Sequence, residues 1–156
     1  TPKKPNLSLQ RKSAARMAAV QCLYRQAMAG ENSDPAEQAA ALKEQLTGNR
    51  DEQKLLIGSP IEPDYAMLEK LLSGVYARQD EIDGIIDGGL SKAWARARMS
   101  PLLVALLRCG VFELESGKEA AIVTDEYTRL ARSFFADEEV GFVHAFFSRL
   151  AGPRHG

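Results

Sequence analysis

The residues best placed to do chemistry in this chain are cations. Lys12 and Arg16 stand four apart in the stretch Gln10-Arg-Lys-Ser-Ala-Ala-Arg-Met-Ala-Ala-Val-Gln-Cys-Leu-Tyr-Arg-Gln-Ala-Met28, so on a helix they share one flank. With Lys3, Lys4, Arg11 and Arg25 they make six positive charges before the first acid, Glu31. The rest of the chain holds fourteen cations against twenty-one acids, a net of −7 hidden within an overall charge of −1. A basic end on an acidic body suits an anionic partner, although a basic leader that binds nothing has the same composition.

Other kinds of chemistry lack their residues. The only histidines are His144, beside an apolar stripe, and His155, in the final tail, which is too little for a metal centre or an acid-base pair. Cys22 and Cys109 lie inside apolar helical patterns with no pairing or metal spacing, and read as core thiols of a reducing cytoplasm. Asp80-Glu81-Asp83 and Asp137-Glu138-Glu139 fall at helix starts, where carboxylates complement the helix dipole. No strand precedes a Gly-rich phosphate loop. These absences predict a protein that is not an enzyme and carries no cofactor or metal.

The cations need an element to hold them. Met17, Val20, Tyr24, Ala27 and Met28 recur at three- and four-residue steps, which predicts an amphipathic helix to about Met28 with Gly30 as its stop. Asp34-Pro35-Ala-Glu37 opens a second helix to about Leu46, and the charged, Gly- and Pro-bearing stretch 48–63 reads as a loop. Asp64 caps a helix carrying Tyr65, Leu68, Leu71, Leu72 and Val75, and another near 81–90 presents Ile82, Ile85 and Ile86. Trp94, the only tryptophan, reads as a core or inter-helix wedge. Ser100-Pro101 opens the most apolar segment, whose lone Arg108 calls for a carboxylate or a route to the edge; Glu113 and Glu115 are close in sequence. Val123, Tyr127, Leu130, Ala131 and Phe134 mark the next helix, and Asp137 caps a last one with Val143, Phe146, Phe147 and Leu150 on one face. Phe142 borders that face, and periodicity leaves it as core or as a partly exposed aromatic.

The fold expected is all-α with about seven helices. The length favours one domain, 11–150, between a flexible basic tail at 1–10 and a C-terminal tail at 151–156. The longest apolar run, Leu102–Leu107, is far too short to span a bilayer, and no secretory signal is present, so a cytoplasmic location is expected. Oligomeric state stays open, because the apolar stripes can meet within one chain or across a homodimer.

The ordered motifs Arg16-x-x-Ala19-Val20-Gln21-x-Leu23-Tyr24, Leu71-Leu72-x-Gly74-Val75 with Ile82-Asp83, and Trp94-x-x-x-Arg98-Met99 resemble the NusB family of transcription antitermination factors. So do Leu106-Leu107-Arg108 with Glu113-Leu114, Glu126-x-x-x-Leu130-Ala131-Arg132-Ser133-Phe134, and Phe142-Val143. The resemblance covers about 11–150. It implies two small helical bundles packed on each other, and binding of boxA-type single-stranded RNA of ribosomal RNA leaders together with NusE, a small-subunit ribosomal protein. Other Nus factors and RNA polymerase would be reached indirectly. It also implies roles for residues: Lys12, Arg16, Arg108 and Phe142 toward RNA, and Tyr24 toward NusE or, by its place in the first stripe, toward the core.

Ser13, Leu103, Thr124-Asp125 and His144-Ala145 depart from the family pattern, as does a longer segment before Asp64. Two other readings fit the same pattern. One is the RNA-recognition domain of a ribosomal RNA cytosine methyltransferase, which needs a downstream S-adenosylmethionine-binding domain that a chain ending at Gly156 lacks. The other is a helical protein-interaction module that never touches RNA.

Overall fold

The computed structural model describes residues 6–30 and 33–152, and within them every regular element is helical. Eight α-helices form, one more than the pattern predicts, and the chain divides into two compact units, residues 1–76 and 77–156. Of the tails expected at 1–10 and 151–156, residues 1–5 and 153–156 lie outside the described part.

In the first unit α1 (Leu7–Ala29) starts before the boundary expected at 11, because Asn6 caps it by accepting the Leu9 amide at 3.3 Å. Gly30 closes it in the left-handed region at φ 66°, a conformation costly for a residue with a Cβ. The buried face is not the stripe of large side chains that the sequence suggests. It is a broad alanine surface, Ala14, Ala15, Ala18 and Ala19 with Arg16, Val20 and Cys22, while Met17 and Tyr24 are half-buried and Met28 is 62% exposed. Small side chains let neighbouring backbone come close on several sides, so burial here follows size rather than hydrophobicity.

Asp34 caps α2 (Pro35–Leu46) through the Ala36 amide as expected, and Ala39, Leu42 and Leu46 face inward. The stretch read as a loop contains a further helix, α3 (Arg50–Ile57). Polar residues make it. Asn49 caps the Glu52 amide at 3.2 Å, Gly58 ends it at φ 92°, and buried Gln53 donates Nε2 to the Leu46 carbonyl at 2.8 Å. The Gln21 side chain of α1 donates to the Leu56 carbonyl, which ties α3 to the first helix. Such a helix has no apolar period to find: Leu55 is 80% exposed. In α4 (Tyr65–Ala77) Asp64 caps the Met67 amide at 3.0 Å, and Leu68, Leu71, Leu72 and Val75 are buried.

The second unit holds α5 (Gln79–Gly88), two short 3₁₀ turns at Lys92–Trp94 and Arg96–Arg98, α6 (Pro101–Glu115), α7 (Ala120–Phe134) and α8 (Asp137–Ala151). Ser100 caps α6 through the Leu103 amide, and ten of its residues are buried, as its near-continuous apolar sequence demands. Gly110 is required: a Cβ there would strike the Phe147 ring of α8. Tyr127 donates its buried hydroxyl to Glu113 Oε2 at 2.5 Å, joining α7 to α6. Asp137 is the first residue of α8 rather than its cap. Ala136 holds the cap position with no side-chain bond, and Asp137, Glu138 and Glu139 serve the first turn by charge alone.

Candidate nucleic-acid interface

The first unit places its expected residues on α1 at different depths. Lys12 is half-buried and Arg25 exposed, but Arg16 is 3% exposed, inside the alanine surface rather than on a flank beside it. Arg11 is exposed yet committed, donating Nε to the Glu62 carbonyl at 3.1 Å and Nη2 to the Pro63 carbonyl at 3.3 Å. Its own carbonyl accepts the Asp64 amide. The segment so anchored holds Glu62, whose carboxylate accepts the Gly48 amide at 2.7 Å and the Tyr65 hydroxyl at 2.5 Å. The Tyr65 bond keeps the Glu62 carboxyl below its usual range, and burial together with that bond pushes Tyr65 up to about 12. A cationic face of six thus reduces: Lys3 and Lys4 lie outside the described residues, Arg11 holds a loop and Arg16 is interior. Tyr24 is neither exposed nor enclosed, so both of its readings stand.

In the second unit Arg108 finds its carboxylate, though not on its own helix. Its Nε and Nη2 donate to Asp83 Oδ1 and Oδ2 at 2.8 and 2.9 Å, a two-pronged bond with both side chains mostly buried. Asp83, read from sequence as one more helix-start acid, is therefore the structural partner of the lone arginine. Arg96 approaches the same carboxylate at 3.4 Å and grips Asp87 with two bonds, which hold the Asp87 carboxyl below its usual range.

Phe142 is 8% exposed, which places it in the core. Trp94 lies on it nearly parallel, ring centres 4.3 Å apart at 14°, with Phe146 behind at 6.1 Å. The segment 91–98 thus touches both expected residues of this unit, Arg108 through Asp83 and Arg96, and Phe142 through Trp94. Sequence reasoning took neither Asp83 nor Arg96 as part of a site. The available signal was an acid one position past buried Ile82 in one helix and one arginine in an otherwise apolar helix, two groups that need each other.

Both cysteines are buried and unbridged, as expected, and Cys22 Sγ lies 3.7 Å from Gln38 Oε1. Burial pushes the Cys22 thiol up, away from reactivity. Among the described residues no group of three His, Cys, Asp or Glu is placed to hold a metal, and no helix is long and apolar enough to cross a membrane.

The model of the NusB family matches residues 13–151. A transcription antitermination protein NusB of Bradyrhizobium sp. (strain ORS 278) is 34% identical over 148 residues, 94% of this chain and 84% of that protein. One from Rhodopseudomonas palustris (strain HaA2) is 35% identical over 90% of this chain and 81% of its own length. Among solved structures, antitermination factors NusB and NusE in complex with dsRNA match with a TM-score of 0.71 at 25% identity, covering 93% of this chain and 98% of that one. NusB of T. maritima shares the fold, with a TM-score of 0.67 at 19% identity over 97% of this chain and 93% of its own. With the motif series, the all-helical fold and a family match spanning both units, the chain belongs to the NusB family.

Proposed function

We propose that the protein is a cytoplasmic transcription antitermination factor that binds boxA-type single-stranded RNA of ribosomal RNA leaders together with NusE. The observation that carries this reading is the likeness, over nearly the whole chain, to a NusB bound to both NusE and RNA. In it the chain performs no catalysis. Lys12 offers a charge to a phosphate, Arg16 serves RNA from beneath by fixing the α1 face, and Tyr24 serves NusE. Arg108 and Phe142 act in the second unit within the Asp83 and Trp94 pairs that support them.

Single-stranded RNA suits these groups, since it exposes phosphates to cations and base faces to aromatics. With about three phosphates neutralised, log K falls against log salt with a slope near −2, at about −0.7 per phosphate. Such binding is modest, and a second protein beside the first raises both affinity and specificity.

The test is a titration of labelled boxA-like RNA, single-stranded and as a duplex, with and without NusE at two salt concentrations. Tighter binding of the single strand, strengthened by NusE and weakened by Lys12→Ala, is the expected result. A protein that binds NusE but no RNA under any of these conditions is an interaction module instead, and preference for the duplex overturns the single-strand assignment.

A further inference from the structure

We propose that Trp94, rather than Phe142, presents the face on which an RNA base stacks, with Phe142 as the ring behind it. The inference rests on the RNA-binding reading above and names the group that does the stacking. Two parallel rings 4.3 Å apart leave no room for a third between them, so Phe142 has given one face to the indole and is 8% exposed. Trp94 is only half-buried. Its neighbours Ala93 and Ala95 carry too little side chain to cover it, and Trp94 lines two open clefts. One, of about 420 Å³, also contains Phe142 and Arg149. The other, of about 500 Å³, is lined by Trp94 with Leu103, Phe135 and Arg98 but not by Phe142.

The charges around the larger cleft decide what enters it. Lys92 and Arg98 are exposed on either side of Trp94 in a run, 91–98, that contains no acid. Glu138 and Glu139 line the cleft itself. Carboxylates repel phosphate, so the backbone runs past the cations outside while a base turns inward. An aromatic plane interleaved with cations is the arrangement by which single strands are held without a duplex.

Because Trp94 is the only tryptophan, its emission reports on this site alone. The full chain is titrated with a fluorescein-labelled single-stranded RNA of mixed sequence, following RNA anisotropy and tryptophan emission together. The expected result is quenching of Trp94 at the midpoint of the anisotropy rise, with no quenching by an abasic oligonucleotide of equal length. Trp94→Ala weakens binding roughly 5- to 150-fold, the range for loss of one stacked base, while Trp94→Phe retains most of it. Anisotropy that rises while the emission stays constant, or equal quenching by the abasic strand, overturns the assignment and leaves RNA binding standing. An anisotropy that never rises, with a boxA-like single strand and NusE as well, overturns the RNA-binding reading and this inference with it. Should Trp94→Ala fail to fold, the emission of the unsubstituted chain decides.

Discussion

The two units use charge in opposite ways. In residues 6–76 cations and polar side chains are spent on main-chain carbonyls: Arg11 on Glu62 and Pro63, Gln53 on Leu46, Gln21 on Leu56. In residues 77–152 charges meet charges, Arg108 and Arg96 on Asp83 and Arg96 on Asp87. The first scheme ties an irregular polar segment to a helix and leaves Lys12, half-buried, with no carboxylate partner among the described residues. The second pairs Arg108 and Arg96 with carboxylates and leaves Trp94, stacked on buried Phe142, half-open to solvent. Salt should therefore act on the phosphate contacts of Lys12, Lys92 and Arg98 more than on stacking at Trp94, since screening weakens an accessible cation but not a stacked ring.

The largest effect expected from breaking this contrast is at Asp83. Asp83→Ala leaves the mostly buried Arg108 without its two-pronged partner, and removing one member of such a pair costs about 3 kcal/mol. Urea unfolding followed by circular dichroism should show a lower midpoint with an unchanged slope. The double variant Asp83→Ala with Arg108→Met should regain a large part of the loss. If the double variant is as unstable as the single, the pair is not what holds α5 to α6.

That pair also shows how far the sequence could be read. Helix starts at Asp34, Asp64 and Ser100 were legible because a cap followed by an apolar stripe is a local signal, and each cap forms its bond in the structure. α3 was not, because Asn49, Gln53 and Gly58 build it from polar contacts that leave no periodic trace. The burial of Arg16 was hidden for a related reason: alanines carry little hydrophobic weight, and the pattern of larger residues pointed to Met28, which is exposed. Among the expected site residues, Arg108 was legible as a group needing a carboxylate, but its choice of Asp83 over Glu113 is a long-range fact that spacing within one helix cannot contain. Phe142 stood at a border between core and surface, and the stack with Trp94 decides it for the core.

In the first unit the corresponding substitution is milder. Gln53→Ala removes one buried hydrogen bond to the Leu46 carbonyl, which still accepts the Asn49 amide, so the loss should be about 1 kcal/mol. Hydrogen exchange of the α3 amides should accelerate by more than that of α6 or α8. Uniform acceleration would mean that α3 is part of the cooperative core and not a segment fastened to it.

Lys12→Ala should leave stability within about 0.5 kcal/mol, as for a substitution away from buried networks. Its effect belongs to binding. If Lys12 meets a phosphate, the salt slope of RNA affinity should become shallower by about 0.7, with affinity reduced alike for every RNA sequence. The Trp94 variants should lose affinity with the slope unchanged, and a Trp94→Ala protein whose salt slope also flattens would erase the proposed division of labour.

The smallest effect is confined to the polar segment of the first unit and is set by pH. Glu62 titrates below its ordinary value because Tyr65 donates to it, so what that bond contributes is present above about pH 4.5 and fades as the pH falls through the lowered value. Tyr65 is shifted the other way, to about 12, so its share is complete below about pH 10 and fades as the pH rises toward 12. Between these limits the segment should be indifferent to pH. Both groups are partly open to water, so screening keeps the effect local, and it should appear as faster opening of residues 48 and 62–65 rather than a change in global unfolding. Glu62→Gln keeps a weaker acceptor for Tyr65 without the charge, and should flatten the acid limb while leaving the second unit untouched. An acid limb that survives in Glu62→Gln would show that the sensitivity comes from elsewhere in the first unit, and would separate the Arg11 anchor from the carboxylate that now accompanies it.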